Sequence, residues 1–565
     1  MLTLRTRRLW WWLGGAIAAA LVASLAVVLL LKPMLERAVR ARIESAAARH
    51  GMVARIGTVR VGLWPFVRLT NFDLDLGHGA RLHADTIAAT YPGQLRLAVG
   101  AAHLSGPAGV TVGSSASAWS MAGSREDLQL TLIEPQTGLS IHQLKDAAGS
   151  VWNVEARALD VGHLFDVQRN GAPFLDGGIA DGRVELRTSE ETLRFHVDIG
   201  ARGARFGLLA ENDDGEPQLG DATDVTLRFD AAWKRAEGSF EIPEIQGTLA
   251  GADLSGSIQL RDLDTDPTVD MTLGVKQLEF ARLLGAAGLA VPENLGLPPG
   301  ASADLGSVSM EVGLRGRSSE PATLAVTQKI NFTPPDKMPP AISRLRTDFV
   351  FRSNEGLGPH RPIDVSPASA DFIALHDVPP LFVRTLLISE DAGFYGHKGI
   401  DLRELPSALL TNYSRGGAAR GASTITQQLA KNLFLSRDKE VGRKLQELAI
   451  TFLLESELGK DRILEIYLNI IEWGPDLRGL RPAARHYFDC EPQALTPAQM
   501  AFLVAIIPGP IKYQRSLARG TPSPGLRVLI DNLLAKLRSV DAIGEEEYQR
   551  ALSEPIVVAG ALAPG

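Results

Sequence analysis

Between Trp10 and Leu31 the chain runs for 22 residues without a charged side chain. At about 1.5 Å per residue, a helix of that length crosses a hydrocarbon layer of roughly 30 Å. A cleavable leader would have a shorter apolar core of about 7 to 15 residues, and no clear small-x-small site follows Leu29-Leu30-Leu31-Lys32-Pro33. The segment reads as an uncleaved transmembrane anchor, residues 1–32 forming a short tail and the span. Arg5, Arg7 and Arg8 precede it and Trp10, Trp11 and Trp12 sit at interface level, which places the tail in the cytoplasm. Lys32, Arg37, Arg40 and Arg42 follow it, so charge alone does not fix the orientation.

Beyond the span the hydrophobic period changes twice. Residues 34–49 carry Leu35, Val39 and Ile43 at helical spacing, so the helix is expected to continue and to stop at Gly51. From there to about 330 the period is two: Phe72, Leu74, Leu76; Leu193, Phe195, Val197, Ile199; Val225, Leu227, Phe229; Val269, Met271, Leu273, Val275; Val308, Met310, Val312, Leu314. Such alternation, broken by Gly, Asp and Pro, predicts a large antiparallel β-rich region over 33–330. Leu159-Asp160-Val161 with Leu164-Phe165 echoes Leu278-Glu279-Phe280 with Leu283-Leu284, which suggests two related β units. Pro334, Pro335, Pro339, Pro340, Pro359 and Pro362 mark 331–365 as a linker. After it the spacing of Ile463, Ile466, Tyr467 and Ile470 is helical, and Thr496-Pro497 reads as a helix start. Residues 366–565 are expected to be mainly α and long enough to fold alone.

Composition narrows the classes. Hydrophobic residues at 45% and charged residues at 22% fit folded protein, and 565 residues suit two to four domains. Lys+Arg 58 against Asp+Glu 65, without acidic or basic blocks, gives nucleic-acid binding no electrostatic basis. Cys490 is the single cysteine, which excludes intrachain disulfides and multi-cysteine metal sites.

Chemistry-bearing residues gather in the helical part. Directly after the apolar run Leu386-Leu387-Ile388 come Ser389, Glu390, Asp391, Phe394, Tyr395 and His397 among glycines. An acid ending an apolar helix borders low dielectric and is suited to accept a proton near neutral pH, although paired acids at a helix end are more often merely solvated. Next stands Arg420-Gly421-Ala422-Ser423-Thr424-Ile425-Thr426-Gln427-Gln428-Leu429-Ala430-Lys431-Asn432, then Arg443-Lys444-Leu445-Gln446-Glu447. Lys431, Arg437, Lys439, Arg443 and Lys444 place five cations within 14 residues. Arg443 and Lys444 lie four and three positions before Glu447, on one helix face; the bland reading is ordinary ion pairing on a wet surface. His397 has no neighbours at metal-ligand spacing and is expected to hydrogen-bond within its own loop. Ser436-x-x-Lys439 matches a transpeptidase pattern by chance, since no Lys-Thr-Gly occurs.

These motifs, with Lys460-Asp461-Arg462-Ile463-Leu464-Glu465-Ile466-Tyr467-Leu468-Asn469, Glu472-Trp473-Gly474, 483–488 and 495–510, resemble the peptidoglycan glycosyltransferases of family 51 over residues 372–511. The resemblance implies a mainly α, partly lysozyme-like domain that polymerises lipid II into β-1,4-linked glycan with inversion and release of undecaprenyl pyrophosphate. By motif position it implies Glu390 as the general base at the acceptor 4-hydroxyl and Glu447 as the second essential carboxylate on the donor side. Asp391, Phe394, His397, Gly421, Ser423, Thr424, Gln427, Gln428, Lys431, Asn432, Arg437, Arg443 and Lys444 are the implied substrate-binding residues. No metal ligand set and no required cofactor are implied, and a divalent cation is compatible with the chemistry. The implied partners are lipid II, the growing strand and the cytoplasmic membrane, with the bulk of the chain in the periplasm.

The stretch 55–76 and the β-rich texture of 33–330 resemble AsmA-like envelope proteins, which implies lipid handling or docking of envelope proteins there. Two other functions stay open at this point: a non-polymerising envelope lipid-transfer or assembly protein that binds lipid-linked glycan, and a lysozyme-like hydrolase, against which the cations speak. Two departures from the family pattern stand out, Ala392-Gly393 in the first motif and Leu480-Arg481-Pro482 in the fourth, where Pro482 is expected to alter a helix start.

Overall fold

The computed structural model describes residues 32–49, 51–61, 66–77, 79–90, 95–106, 110–114, 117–123, 126–134, 138–147, 149–169, 172–207, 210–211, 217–297, 303–317, 320, 324–352, 362–404, 423–435, 441–517 and 520–558. The expected span Trp10–Leu31 lies outside them, and among the described residues no helix is long and apolar enough to cross a membrane. The chain divides into two compact units. One comprises 1–249 with 257–262 and 286–288; the other comprises 250–256, 263–285 and 289–565.

In the first unit residues 32–49 form helix α1. It stops where Gly51 turns to φ +72°, a conformation that favours glycine, and the N–H groups of Gly51 and Met52 return to the carbonyls of Ala48 and Ala47. The stripe Val39, Ile43 and Ala47 packs against Ile56, Val59, Leu69 and Phe72. Arg40 donates to the Gly57 carbonyl at 3.0 Å and Glu36 accepts from the Val61 N–H at 3.1 Å, so the helix is fastened to a strand edge. Val53–Val61, Phe66–Gly77 and Ala80–Thr90 are antiparallel neighbours, with Ile56 opposite Phe72. Later, Gly149–Asp160, Ile179–Thr188, Thr192–Phe206, Thr223–Lys234 and Ser239–Leu249 follow one another in the same sense.

The internal echo has a structural counterpart. Each block bulges at a residue of positive φ, Ala158 at 48° and Gln277 at 52°. Each displaced N–H is taken by a side chain of the next strand, Asp181 Oδ1 at 2.7 Å and Ser309 Oγ at 3.0 Å. The chain then enters a short helix, Val161–Leu164 or Phe280–Ala286, whose first N–H reaches a glycine carbonyl, Gly178 or Gly306.

The second unit joins the last of these strands to the helical part. Thr268–Glu279, Ser307–Arg317 and Ala325–Thr333 form an antiparallel sheet. Six helices matter below: α2 (Pro380–Glu390), α3 (Ile425–Phe434), α4 (Val441–Glu457), α5 (Lys460–Ile470), α6 (Pro497–Ile506) and α7 (Pro524–Ser539). Helix α6 is apolar on every side, burying Met500, Ala501, Phe502, Leu503, Val504 and Ile506, as a central helix must. Thr496 caps it reciprocally with Gln499, and Pro497 occupies its first position. A single core runs from Phe280, Leu284, Leu295 and Val308 through Phe382 and Phe452 to Phe502 and Leu534.

The described residues of the stretch expected as a linker, 331–352 and 362–365, contribute to that core. Ala341, Ile342, Leu345, Phe349, Phe351 and Val365 are buried in it. Pro340 opens a helical turn, and Phe349–Phe351 pairs with Ile363–Val365. Proline at a first helical position starts structure rather than preventing it, so proline density here misplaces the division between the units. It also leaves 366–565 without part of its own core.

Candidate active site

Helix α2 begins at Pro380, buries Phe382, Thr385 and Leu386, and ends at Glu390 because Asp391 leaves the helical region. Glu390 is half-buried. Its Oε2 accepts from Gln428 Nε2 of α3 at 3.0 Å, and its Oε1 from Ser389 Oγ at 3.2 Å. Gln428 Oε1 accepts in turn from the Tyr467 hydroxyl of α5 at 2.9 Å. An amide has a donating and an accepting face; with Tyr467 holding the accepting face, the donor is left for Glu390. Tyr467 is fully buried, and burial, followed by the negative charges of Glu390 and Asp391, pushes its hydroxyl well above its ordinary value. It therefore stays protonated and remains a donor well beyond neutral pH.

The loop after Glu390 is tied down from several sides. His397 Nδ1 accepts from the Gly399 N–H at 3.1 Å, so the N–H of the neutral ring lies at Nε2, which donates to Asp391 Oδ1 at 2.8 Å. Asp391 Oδ2 accepts from the N–H of Ile425, the first residue of α3, at 2.9 Å, an anion at a helix N-terminus. Thr424 and Gln427 close a reciprocal cap at 3.0 and 3.2 Å, and the Thr424 hydroxyl donates to the Gly399 carbonyl. Gly399 has φ +93°, and a Cβ there would lie 2.6 Å from Thr451 Cγ2 of α4. Phe394 is fully buried, with Lys460 Nζ 4.4 Å from its ring centre; Lys460 also pairs with Glu455 at 2.7 Å.

Five of the expected substrate-binding residues, Asp391, Phe394, His397, Thr424 and Gln427, are thus buried and engaged with protein groups. Ser423, Gln428, Lys431, Asn432 and Arg443 are half-buried and Lys444 is exposed. On α4 Glu447 is buried, 3% exposed, and ion-paired with Lys444 one turn earlier; Lys444 Nζ also donates to Ser423 Oγ at 3.0 Å. Arg443 Nε is buried with no hydrogen-bond partner among the described residues. Gly421, Arg437 and Lys439 lie outside the described residues. Among the described residues no group of three or more His, Cys, Asp or Glu could hold a metal ion.

The first-motif departure has a packing reason. A Cβ on Gly393 would stand 2.6 Å from Asp401 Oδ2 and 3.1 Å from Arg403 Nη2, so glycine makes room for their ion pair. Pro482 falls in the first turn of the helix Leu480–Phe488, where its missing N–H would have had no helical partner. The sequence put Ser389, Lys460 and Tyr467 inside the motifs without giving any of them a role, and Glu455 did not stand out. A tyrosine on an apolar helix face still needs a partner for its hydroxyl, and that requirement was the available signal.

A family model described as Transgly, Transglycosylase, matches residues 360–523. The biosynthetic peptidoglycan transglycosylase of Nitrosomonas eutropha is 51% identical over 130 residues, covering 23% of this chain and 53% of that protein. The protein of the same name from Herminiimonas arsenicoxydans is 44% identical over 158 residues, covering 28% and 67%. Penicillin-binding protein 1A from Haemophilus influenzae, a crystal structure, matches 24% of this chain and 16% of its own at 26% identity, with a TM-score of 0.15. The chain spans about half to two thirds of the length of the curated relatives it matches. With Glu390, the capped helix α3 and Glu447 all inside the matched stretch, the chain belongs to the transglycosylase family through the C-terminal part of its second unit.

Proposed function

We propose that this protein polymerises lipid II into β-1,4-linked glycan at the outer face of the cytoplasmic membrane, releasing undecaprenyl pyrophosphate. The observation that carries the reading is the pair of differently held carboxylates in one helical unit. Glu390 is half-buried and, among its contacts with described residues, accepts from an amide and a hydroxyl, whereas Glu447 is buried against a lysine. A carboxylate restrained by an amide and a hydroxyl can still take a proton, and Glu390 does so from the acceptor 4-hydroxyl as that oxygen attacks the donor anomeric carbon. The bond from that carbon to the pyrophosphate breaks on the opposite side, which inverts the configuration. Charge grows on the leaving pyrophosphate, where cationic donors act in the transition state. Lys444 and Lys431 supply charge, and Arg443 Nε offers a donor without an acceptor of its own among the described residues. Glu447 orients Lys444 toward Ser423 and that side of the site.

Such chemistry needs no resident cofactor, and a divalent cation arriving with the pyrophosphate is compatible with it. The uncharged run Trp10–Leu31 supplies the single-pass anchor that keeps the enzyme beside a lipid-linked substrate. Full-length protein given lipid II should yield long glycan strands and polyprenyl pyrophosphate. Intact lipid II with tight binding would favour the lipid-handling alternative, and solubilised sacculi a hydrolase.

A further inference from the structure

The family match begins at residue 360, yet the helices that carry the donor-side groups are fastened by residues well before it. Asn294 Nδ2 donates at 2.9 Å to the carbonyl of Phe434, the last residue of α3. Gln446 Nε2, beside Glu447 in α4, donates at 2.8 Å to the carbonyl of Ala290. One short stretch therefore grips the end of the helix bearing Lys431 and the second turn of the helix bearing Arg443, Lys444 and Glu447. The Phe434 carbonyl belongs to the last turn of α3, where carbonyls lack helical partners, so a side-chain donor there fixes the helix end. Asn294 Oδ1 is itself buried without a partner among the described residues, and turning the amide over would set that oxygen against the Phe434 carbonyl; the orientation is thus fixed.

The grip extends behind both carboxylates. Phe452 of α4 stacks on Phe332 at 5.4 Å and meets Phe280 at 5.8 Å. On the other side, Gln328 Oε1 accepts from the Leu402 N–H at 2.9 Å and Gln328 Nε2 reaches the Ile400 carbonyl at 3.4 Å. Ile400 follows Gly399, whose carbonyl and N–H are already bonded to Thr424 and His397.

We propose that residues 280–285, 289–297 and 324–333, upstream of the family-matched stretch, form a positioning element of the catalytic unit. In it Asn294 and the Ala290 carbonyl set α3 against α4 on the pyrophosphate side, and Gln328 holds the loop that follows Glu390. This deepens the functional reading above and rests on it for its kinetic test. Preorganised cations stabilise a developing charge only when their spacing is fixed before the reaction, and displacement of a catalytic group by about 1 Å is enough to lose much of the rate. Loss of these bonds should let α4 shift with its core packing intact.

The test compares the full-length protein with Asn294→Ala/Gln446→Leu and with Gln446→Lys, which can still donate to the Ala290 carbonyl. In lipid II polymerisation the double variant should lose about tenfold in kcat/KM, through kcat, with a melting temperature close to wild type, while Gln446→Lys retains most of the rate. Amide exchange over 441–448 should be faster in the double variant alone. If the double variant fails to fold, Gln446→Glu, which keeps the size and removes the donor, replaces it. Unchanged exchange and unchanged kinetics would overturn the proposal. If wild type does not polymerise lipid II, the functional reading fails, and the exchange comparison decides the positioning role: faster exchange supports it and equal exchange overturns it.

Discussion

Tyr467 shows how a residue that does not touch a carboxylate can set its surroundings. Its hydroxyl orients the Gln428 amide, and the Gln428 amino group holds Glu390. In Tyr467→Phe the amide is free to turn and present oxygen to the carboxylate. The carboxylate then loses a fixed donor, and the neutral-pH rate should fall about two- to tenfold, the equivalent of one net hydrogen bond of about 0.5–1.5 kcal/mol. No alkaline limb in wild type should vanish in the variant, because burial keeps the hydroxyl protonated. A second residue-scale prediction concerns Asp401, held below its ordinary 3.8 mainly by the hydrogen bond from Arg403. A lowered acid contributes stability that is full above its unfolded value and is lost as pH falls through its folded value. Urea unfolding should therefore separate wild type from Asp401→Asn at about pH 6 and bring them together toward about pH 3. Both carboxylates and the cations beside Glu447 were legible as residue types in order along the chain. The roles of Tyr467 and Gly393 were not, since each depends on a partner dozens of residues away or on space that only packing defines.

At the scale of elements, α3 organises the site through its first turn. Thr424 closes the reciprocal cap with Gln427, joins Gly399, and stands beside the Ile425 N–H that Asp391 accepts. Thr424→Ala removes the cap and one loop bond together, so unfolding stability should drop by about 1–2 kcal/mol, measured by denaturant titration. Serine at that position keeps the oxygen and should restore most of the loss. Element type was readable wherever a period was long: the runs around Phe72, Val197, Leu227 and Met310 are strands, and Thr496-Pro497 starts α6. The bulges at Ala158 and Gln277 were visible only as an echo of letters. Neither is glycine, and a side chain from the neighbouring strand holds each N–H. Prolines misled over 331–365, where what decides is whether apolar neighbours find a core, and Ile342, Phe349 and Phe351 find one.

For the whole molecule, the division between units passes through the β-rich region rather than after it. A fragment of residues 366–565 would leave α4 without Phe280 and Phe332, and burial of each large side chain is worth about 1.5–3 kcal/mol. That fragment should be insoluble or lack cooperative unfolding, whereas 263–558 should melt cooperatively; calorimetry of both checks this. No pattern in the sequence reveals such sharing, because the strands 268–279, 307–317 and 325–333 have the same alternation as their predecessors. The proposed function depends on Glu390 accepting a proton during glycan polymerisation. The most direct measurement is lipid II turnover by full-length Glu390→Gln beside wild type, with circular dichroism to show that both are folded. The account predicts that rates fall by at least about 10²-fold, the scale of a lost general base, with unchanged spectra. Turnover above a tenth of wild type by a folded Glu390→Gln protein would contradict it.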